Sequence, residues 1–234
     1  GSDREILKQI TFEIKSGESV ALLGTTGSGK SSLAQLMARF YDPSSGDLLL
    51  DGVSLKDWDI KHVRKALAYV PQDVFLFSTT IAENISFGQD GMSTEQIMQA
   101  AKMADVYENI MEFPGQFETI LGERGVTLSG GQKQRVSIAR ALAKNPSMLI
   151  LDDCLSAVDT HTEHKILNNL KKIMVGKTSL IISHRVSSAK LANRIMVLQD
   201  GQIVETGNHA QLMKRKGYYY ELYQNQLNEE ENGL

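Results

Sequence analysis

An α/β fold, in which a parallel sheet is interrupted by a helical insert, is predicted by three features of the sequence. A fully apolar strand runs into a glycine-rich loop and a helix, helical periodicity takes over after Pro71, and short apolar strands return beyond Pro146. In order along the chain, Ile10, Phe12 and Ile14 first alternate with Thr11, Glu13 and Lys15, the period of a strand with one buried face, and Ser16-Gly17 turns the chain. Val20 to Leu23 lacks polar alternation and reads as a strand buried on both faces. It ends at Gly24. From Ser31 to Phe40, the residues Leu33, Leu36, Met37 and Phe40 recur at helical spacing until Pro43 and Gly46 break the pattern.

Leu48 to Leu50 and Ala66 to Val70 are further short apolar runs. In the insert, Ser93 opens a Ser-x-x-Gln capping box that closes at Gln96, with Ile97, Ala100, Ala101 and Ala104 behind it. A second helix is predicted from Gly131 to Ala143, stopping before Asn145-Pro146. Strand signals then recur at Met148 to Leu151, Ser179 to Ile182 and Ile195 to Leu198. The last precedes Asp200-Gly201, a two-residue hairpin turn that adds an antiparallel element. One domain is expected over residues 1–234, with 1–72 and 145–234 as the α/β core and 73–144 as the helical subdomain; Glu229 to Glu231 read as a solvated end.

Composition narrows the function. The chain has 234 residues with 25 basic and 28 acidic side chains mixed along it, a formal charge of −3, and so no cationic footprint for nucleic acid or an anionic membrane. No apolar run approaches the roughly 18 to 20 residues that cross a bilayer, and no signal pattern opens the chain. The single cysteine, Cys154, builds no disulfide framework, which fits a reducing compartment. A soluble, intracellular domain is expected. Gly1-Ser2 reads as a cloning remnant, so the sequence is expected to be a piece of something longer.

The chemistry begins at Gly24-Thr25-Thr26-Gly27-Ser28-Gly29-Lys30-Ser31, which matches Gly-x4-Gly-Lys-[Ser/Thr] and lies between a buried strand and a helix, the context that gives the motif its meaning. Glycines let successive N–H groups converge on phosphate oxygens, and the helix N-terminus adds partial positive charge. Lys30 is expected to reach the β- and γ-phosphates and the Ser31 hydroxyl to ligate Mg²⁺. Met148 to Leu151 then delivers Asp152 to the carboxyl end of a strand, where nucleotide sites of open parallel sheets are built; Asp152 is expected to hold Mg²⁺ through water. These are the two halves of a P-loop NTPase core.

Leu128-Ser129-Gly130-Gly131-Gln132 resembles the signature motif of ATP-binding cassette (ABC) ATPases, and with Lys30 and Asp152 the likeness covers essentially the whole chain. The resemblance implies that each ATP is clamped between the Lys30 loop of one domain and the Ser129 helix of a second, packed head to tail. It assigns nucleotide contacts to Gly24, Thr25, Thr26, Gly27, Ser28, Gly29, Lys30, Ser31 and Ser32, and to Ser129, Gly130, Gly131, Gln132 and Asp159, the last in a loop that communicates across the dimer. By the same likeness Mg²⁺ falls to Ser31, Gln72 and Asp152. Gln72 matches the residue that senses the metal and the attacking water, His184 matches the switch histidine that contacts the γ-phosphate, and Asp153 stands at the catalytic base. His62, His161, His164 and His209 lie in polar surroundings and read as solvated.

Phe75-Leu76-Phe77, Thr80-Ile81-Ala82-Glu83-Asn84-Ile85 and Gly122-Glu123-Arg124-Gly125 resemble exporter domains, whose Glu-Arg-Gly segment faces the coupling helices of a membrane domain. The resemblance implies an exporter nucleotide-binding domain at the cytoplasmic face of the cell membrane, with transmembrane domains on the same parent polypeptide and no nucleic-acid partner. Chromosome-maintenance and repair relatives carry coiled coils between the nucleotide motifs, and no heptad run occurs between Ser31 and Asp152.

Two departures stand out. Exporters usually have Glu where this chain has Asp153; losing one methylene withdraws the carboxylate by roughly 1.5 Å, and a misplacement of about 1 Å can cost about a hundredfold in rate. The altered base is expected to mark the slow half of a heterodimeric bacterial multidrug exporter, which lends its intact signature to a partner. A regulatory clamp that binds ATP but scarcely hydrolyses it is the competing reading. The second departure is that the family's adenine-stacking aromatic residue sits upstream of the Ile6-Leu7 position, whereas nothing aromatic precedes Phe12, which reads as core; weaker adenine binding than in a longer parent chain is expected. Cys154 reads as a small packed residue.

Overall fold

The computed structural model describes residues 5–89, 91–122, 128–156 and 158–231. In chain order the elements are β1 (Ser19–Gly24), α1 (Lys30–Met37), the short β2 (Leu49–Leu50) and β3 (Val53–Ser54), α2 (Ile60–Ala66) and β4 (Leu67–Val70). Four helices come next: α3 (Ile81–Ser86), α4 (Thr94–Met103), α5 (Tyr107–Met111) and α6 (Gly130–Ala143). The chain closes with β5 (Met148–Asp152), α7 (Thr160–Ile173), β6 (Thr178–Ile182), α8 (Val186–Ala189), β7 (Arg194–Gln199), β8 (Gln202–Gly207), α9 (His209–Arg215) and α10 (Tyr218–Glu231). Two compact units divide it, Gly1–Leu67 with Gly176–Leu234 and Ala68–Val175.

In the first unit β1 lies between β6 and β7 and runs parallel to both, with Val20 opposite Leu180 and Ala21 opposite Ile195. β8 returns antiparallel to β7, making the sheet mixed. The expected hairpin is present: Gln199 pairs with Gln202, and Asp200 and Gly201 take φ of 48° and 80°, the doubly left-handed geometry of a tight turn between twisted strands. Every residue of β1 is buried, as an apolar strand inside a parallel sheet requires. Ala21, Leu23, Ile195 and Val197 project into a core completed by Val186, Ala189, Leu212 and Tyr219 from α8, α9 and α10.

Glu18 and Arg194 brace the start of this sheet. The guanidinium donates to both carboxylate oxygens, at 2.7 and 3.1 Å, and the Lys15 amide adds a third bond at 2.9 Å. The Arg194 bond, followed by the Lys15 amide, holds the Glu18 carboxyl below its ordinary value despite partial burial. A group stabilised in its ionised form contributes above its unfolded pKa and loses that contribution as pH falls through the lower folded value. Glu18→Gln is expected to lower stability by about 1 kcal/mol at pH 7, a figure already reduced for partial exposure. In thermal melts the gap from wild type should persist above pH about 4 and close below it; a gap that stays constant down to pH of about 2.5 would contradict this ion pair's role.

In the second unit β4 lies beside β5, whose last four residues are buried. The Ser93–Gln96 capping box is formed, with Ser93 N–H donating to Gln96 Oε1 at 2.9 Å and Gln96 N–H to Ser93 Oγ at 3.3 Å, and Ile97, Ala100, Ala101 and Ala104 are buried. A second such box, Thr80 with Glu83, starts α3. Buried Asn84 is saturated: it accepts from the Phe77 amide and from Arg140, and donates to the Phe77 and Thr80 carbonyls. Arg140 also donates to the Asn84 and Phe75 carbonyls, tying the segment before α3 to α6. Burial pulls its guanidinium down to about 10.

Some expectations need correction. Residues 10–15 show the predicted alternation of exposure but form no strand among the described residues, since a strand also needs a partner backbone. α1 stops at Met37 rather than Phe40: Arg39 turns left-handed at φ 51° and donates to the Trp58 and Lys56 carbonyls, a tertiary contact that overrides the helical spacing. The run from Ala66 begins inside α2 and becomes strand only at Leu67. His209 is not simply solvated. Its Nδ1 lies 2.7 Å from the hydroxyl of buried Tyr219, its ring packs edge-on to Tyr223, and burial holds its pKa below the usual imidazole value. His62 is exposed but stacks on Trp58, while His161 and His164 are exposed as expected.

Candidate functional site

The glycine-rich loop links β1 to α1 in the first unit. A Cβ on Gly24 would lie 2.1 Å from the Leu198 carbonyl oxygen, so no other residue fits at the strand's end. Gly27 and Gly29 take φ of 79° and 103°, which aim the intervening backbone as L side chains rarely allow. Gly29 is the N-cap of α1 and has no side chain to occupy that helix end, where amide groups and the helix dipole favour an anion. Thr25, Thr26 and Gly27 are exposed, Ser31 and Ser32 half-buried. Lys30 Nζ donates to the Gly24 and Thr25 carbonyls, 2.8 Å each, so the ammonium lies over the loop. Ser28 is 4% exposed and its hydroxyl has no partner among the described residues. An orphaned buried hydroxyl beside a Cβ-free cradle and a fixed cation fits a phosphate group. His184, in the same unit, is exposed just past the end of β6.

In the second unit β4 and β5 bring together three residues singled out in the sequence and one that was not. Asp152, 2% exposed at the end of β5, accepts a 2.7 Å bond from the Tyr69 hydroxyl. Burial, then the carboxylate itself, pushes the phenol's pKa well up and keeps it a donor. Gln72 Nε2 donates to Asp153 Oδ2 at 3.2 Å. Asp153 has φ 46°, a left-handed backbone that Asp tolerates better than longer acidic residues do. Sequence reasoning missed Tyr69. The available signal was a polar-tipped aromatic in an otherwise apolar strand, which needs a partner when buried. Cys154 is buried, and burial, then Asp153, pushes its thiol up to about 12, which makes it a packed residue and not a nucleophile.

Ser129 caps α6 and Gln132 closes the box, with Gln132 N–H to Ser129 Oγ at 3.2 Å and Ser129 N–H to Gln132 Oε1 at 2.9 Å; Gly130 and Gly131 form the first turn. Asp159 caps α7 by accepting from the Thr162 amide at 3.0 Å, and that bond holds its carboxyl below the usual range. Glu123, Arg124 and Gly125 lie outside the described residues, as does Ala157 before Asp159.

Strand, phosphate loop and helix define a P-loop NTPase core, and the profile described as "ABC transporter" matches residues 7–156. The chain belongs to the ABC transporter family, as an ATP-binding domain. It is 48% identical to a Bacillus subtilis protein described as "Uncharacterized ABC transporter ATP-binding protein YknU", over 93% of this chain and 37% of that protein. With the "ATP-dependent lipid A-core flippase" of Aromatoleum aromaticum it shares 45% identity, over 98% of this chain and 38% of that protein. A solved structure described as "Structure of a bacterial Atm1-family ABC exporter with ATP bound" superposes with a TM-score of 0.94 at 43% identity, covering 97% of this chain and 40% of that one. The chain thus spans two-fifths or less of each. Among the described residues, no helix is long and apolar enough to cross a membrane.

Proposed function

We propose that this chain binds and hydrolyses Mg-ATP as the nucleotide-binding domain of an exporter, at the cytoplasmic face of the cell membrane. The observation that carries the reading is the loop at 24–31, a glycine cradle with a fixed ammonium and an orphaned buried hydroxyl, in a chain of this family. Residues 73–144 act as the signature subdomain between two parts of the α/β core, 1–72 and 145–234. Gly24 to Ser32 wrap the phosphates with backbone N–H groups, and Lys30, whose ammonium lies on the Gly24 and Thr25 carbonyls, turns to phosphate oxygens. By the family resemblance, Ser31, Gln72 and Asp152 would be the residues that hold Mg²⁺, and the Tyr69 hydroxyl orients Asp152 by donating to it. When bound, the metal would supply charge neutralisation at the triphosphate. Asp153, steadied by Gln72, positions and deprotonates the attacking water, and His184 contacts the γ-phosphate.

The partner is a second nucleotide-binding domain packed head to tail, so that Ser129, Gly130, Gly131, Gln132 and Asp159 of one copy complete the other's site. Transmembrane domains on the parent polypeptide receive the motion. A heterodimeric pair, with this chain as the slower half-site, is favoured by Asp153 at the base position. Shared sites predict that specific ATPase activity of the isolated chain rises with protein concentration, because the membrane domains that raise its effective concentration are missing. Phosphate release measured across a roughly hundredfold range of concentration, alongside light-scattering mass, checks this. Flat specific activity from a monomer at both ends would remove the shared-site mechanism.

A further inference from the structure

The loop that carries His184 is held from outside by one side chain of the C-terminal helix. Gln226, on α10, accepts a 2.8 Å bond from the Val186 N–H through Oε1 and donates a 2.6 Å bond to the His184 carbonyl through Nε2. α8 is a four-residue helix whose N-cap, Arg185, makes no side-chain cap bond. The Val186 N–H is thus one of the amides that a helix start leaves without an intrahelical acceptor, and Gln226 supplies the acceptor from another element. Packing sets its reach. Tyr219, Leu222 and Tyr223 lie on or against the core that contains Val186 and Ala189, and Gln226 follows them at i+7, i+4 and i+3 on the same helix face. Within the loop, Ser183 Oγ accepts from the Arg185 N–H at 3.0 Å. The backbone is therefore pinned on both sides of His184 while its side chain is exposed.

We propose that Gln226 is a positioning residue for His184, its amide fixing the 184–186 backbone so that the imidazole is presented in one orientation. The catalytic half of this inference rests on reading His184 as the γ-phosphate contact. A glutamine suits the place because it carries one acceptor and one donor, matched to an N–H and a C=O two residues apart. Glutamate would keep the acceptor but set an anion against the His184 carbonyl, and leucine would keep the shape and lose both bonds. The C-terminal helix thereby gains a hold on a catalytic loop distant in sequence.

The test has two arms. Amide hydrogen exchange on the nucleotide-free chain should show Val186 exchanging about five- to tenfold faster in Gln226→Leu, the effect of one hydrogen bond, with β6 and β7 amides unchanged. Gln226→Glu should retain most of the Val186 protection, which separates the two bonds. In the second arm, Gln226→Leu should lower kcat severalfold without moving the KM for ATP, and should cause no further loss in a His184→Ala background. Unchanged Val186 exchange in Gln226→Leu overturns the clamp; equal losses of kcat with and without His184 overturn its action through His184. A His184→Ala chain with wild-type kcat would instead overturn the reading of His184 and with it the catalytic consequence, while the exchange arm decides the clamp on its own.

Discussion

Lys30→Ala is expected to weaken Mg-ATP binding by about a hundredfold or more, the equivalent of losing two charge-assisted hydrogen bonds at roughly 1.5 to 3 kcal/mol each. The loop has few substitutes, since its remaining contacts are neutral N–H and hydroxyl groups. Without nucleotide the ammonium bridges the Gly24 and Thr25 carbonyls. Binding brings the ammonium to anionic phosphate oxygens, which hold it more strongly than neutral carbonyl acceptors do. The same bridge means that Lys30→Ala loosens the loop itself, so affinity by calorimetry must be read beside a thermal melt. Lys30→Arg should not rescue, because a planar fork replaces a compact point charge in a tight cradle. Wild-type affinity in a folded Lys30→Ala chain would exclude the loop as the triphosphate site.

At position 153 a longer side chain should speed the reaction and a neutral one should slow it. If the short carboxylate alone limits hydrolysis, Asp153→Glu should raise turnover by about ten- to a hundredfold, the range associated with misplacement of about 1 Å. The left-handed backbone at Asp153 adds a second expectation. Glutamate is less at home there than aspartate, so the faster variant should also be slightly less stable, by about 1 kcal/mol or less. Asp153→Asn keeps the shape and a carbonyl acceptor that can still meet Gln72 Nε2, but loses the charge and the basicity, and residual hydrolysis should fall further. Multiple-turnover phosphate release at saturating Mg-ATP and matched dimer fraction compares the three. No gain in Glu together with no loss in Asn would show that residue 153 is not limiting, and the asymmetric-pair reading would lose its main support.

How much of the fold can be read from the sequence depends on how local each cause is. The loop at 24–31 is legible because its geometry is dictated by glycines at fixed spacing, and the Ser93 box because two residues three positions apart close it. Asp200-Gly201 declares a hairpin for the same reason. α7 and α10 carry no motif that announces them, although Ile166, Leu167 and Leu170 of α7 are buried at helical spacing, a signal the sequence does hold. That Arg39 ends α1 is not legible, since its two carbonyl acceptors lie on a different segment. The bonds from Tyr69 to Asp152 and from Gln226 to the His184 loop cross 83 and 40 to 42 positions respectively. No periodicity reports contacts of that range, and only a folded chain shows them.

Ser129 commits its hydroxyl to its own helix and Gln132 returns the bond. In the proposed dimer, a phosphate arriving at this helix end does not meet a bare socket; it competes with an acceptor already seated there. At the Gln132 amide, what the phosphate adds is therefore the surplus of a charged acceptor over a neutral one, not the whole of a new bond. When the phosphate leaves, the hydroxyl is at hand to take its place at the Gln132 amide. The first turn of α6 thus behaves as a latch that carries its own spring, set to open whenever the charge that closed it is gone.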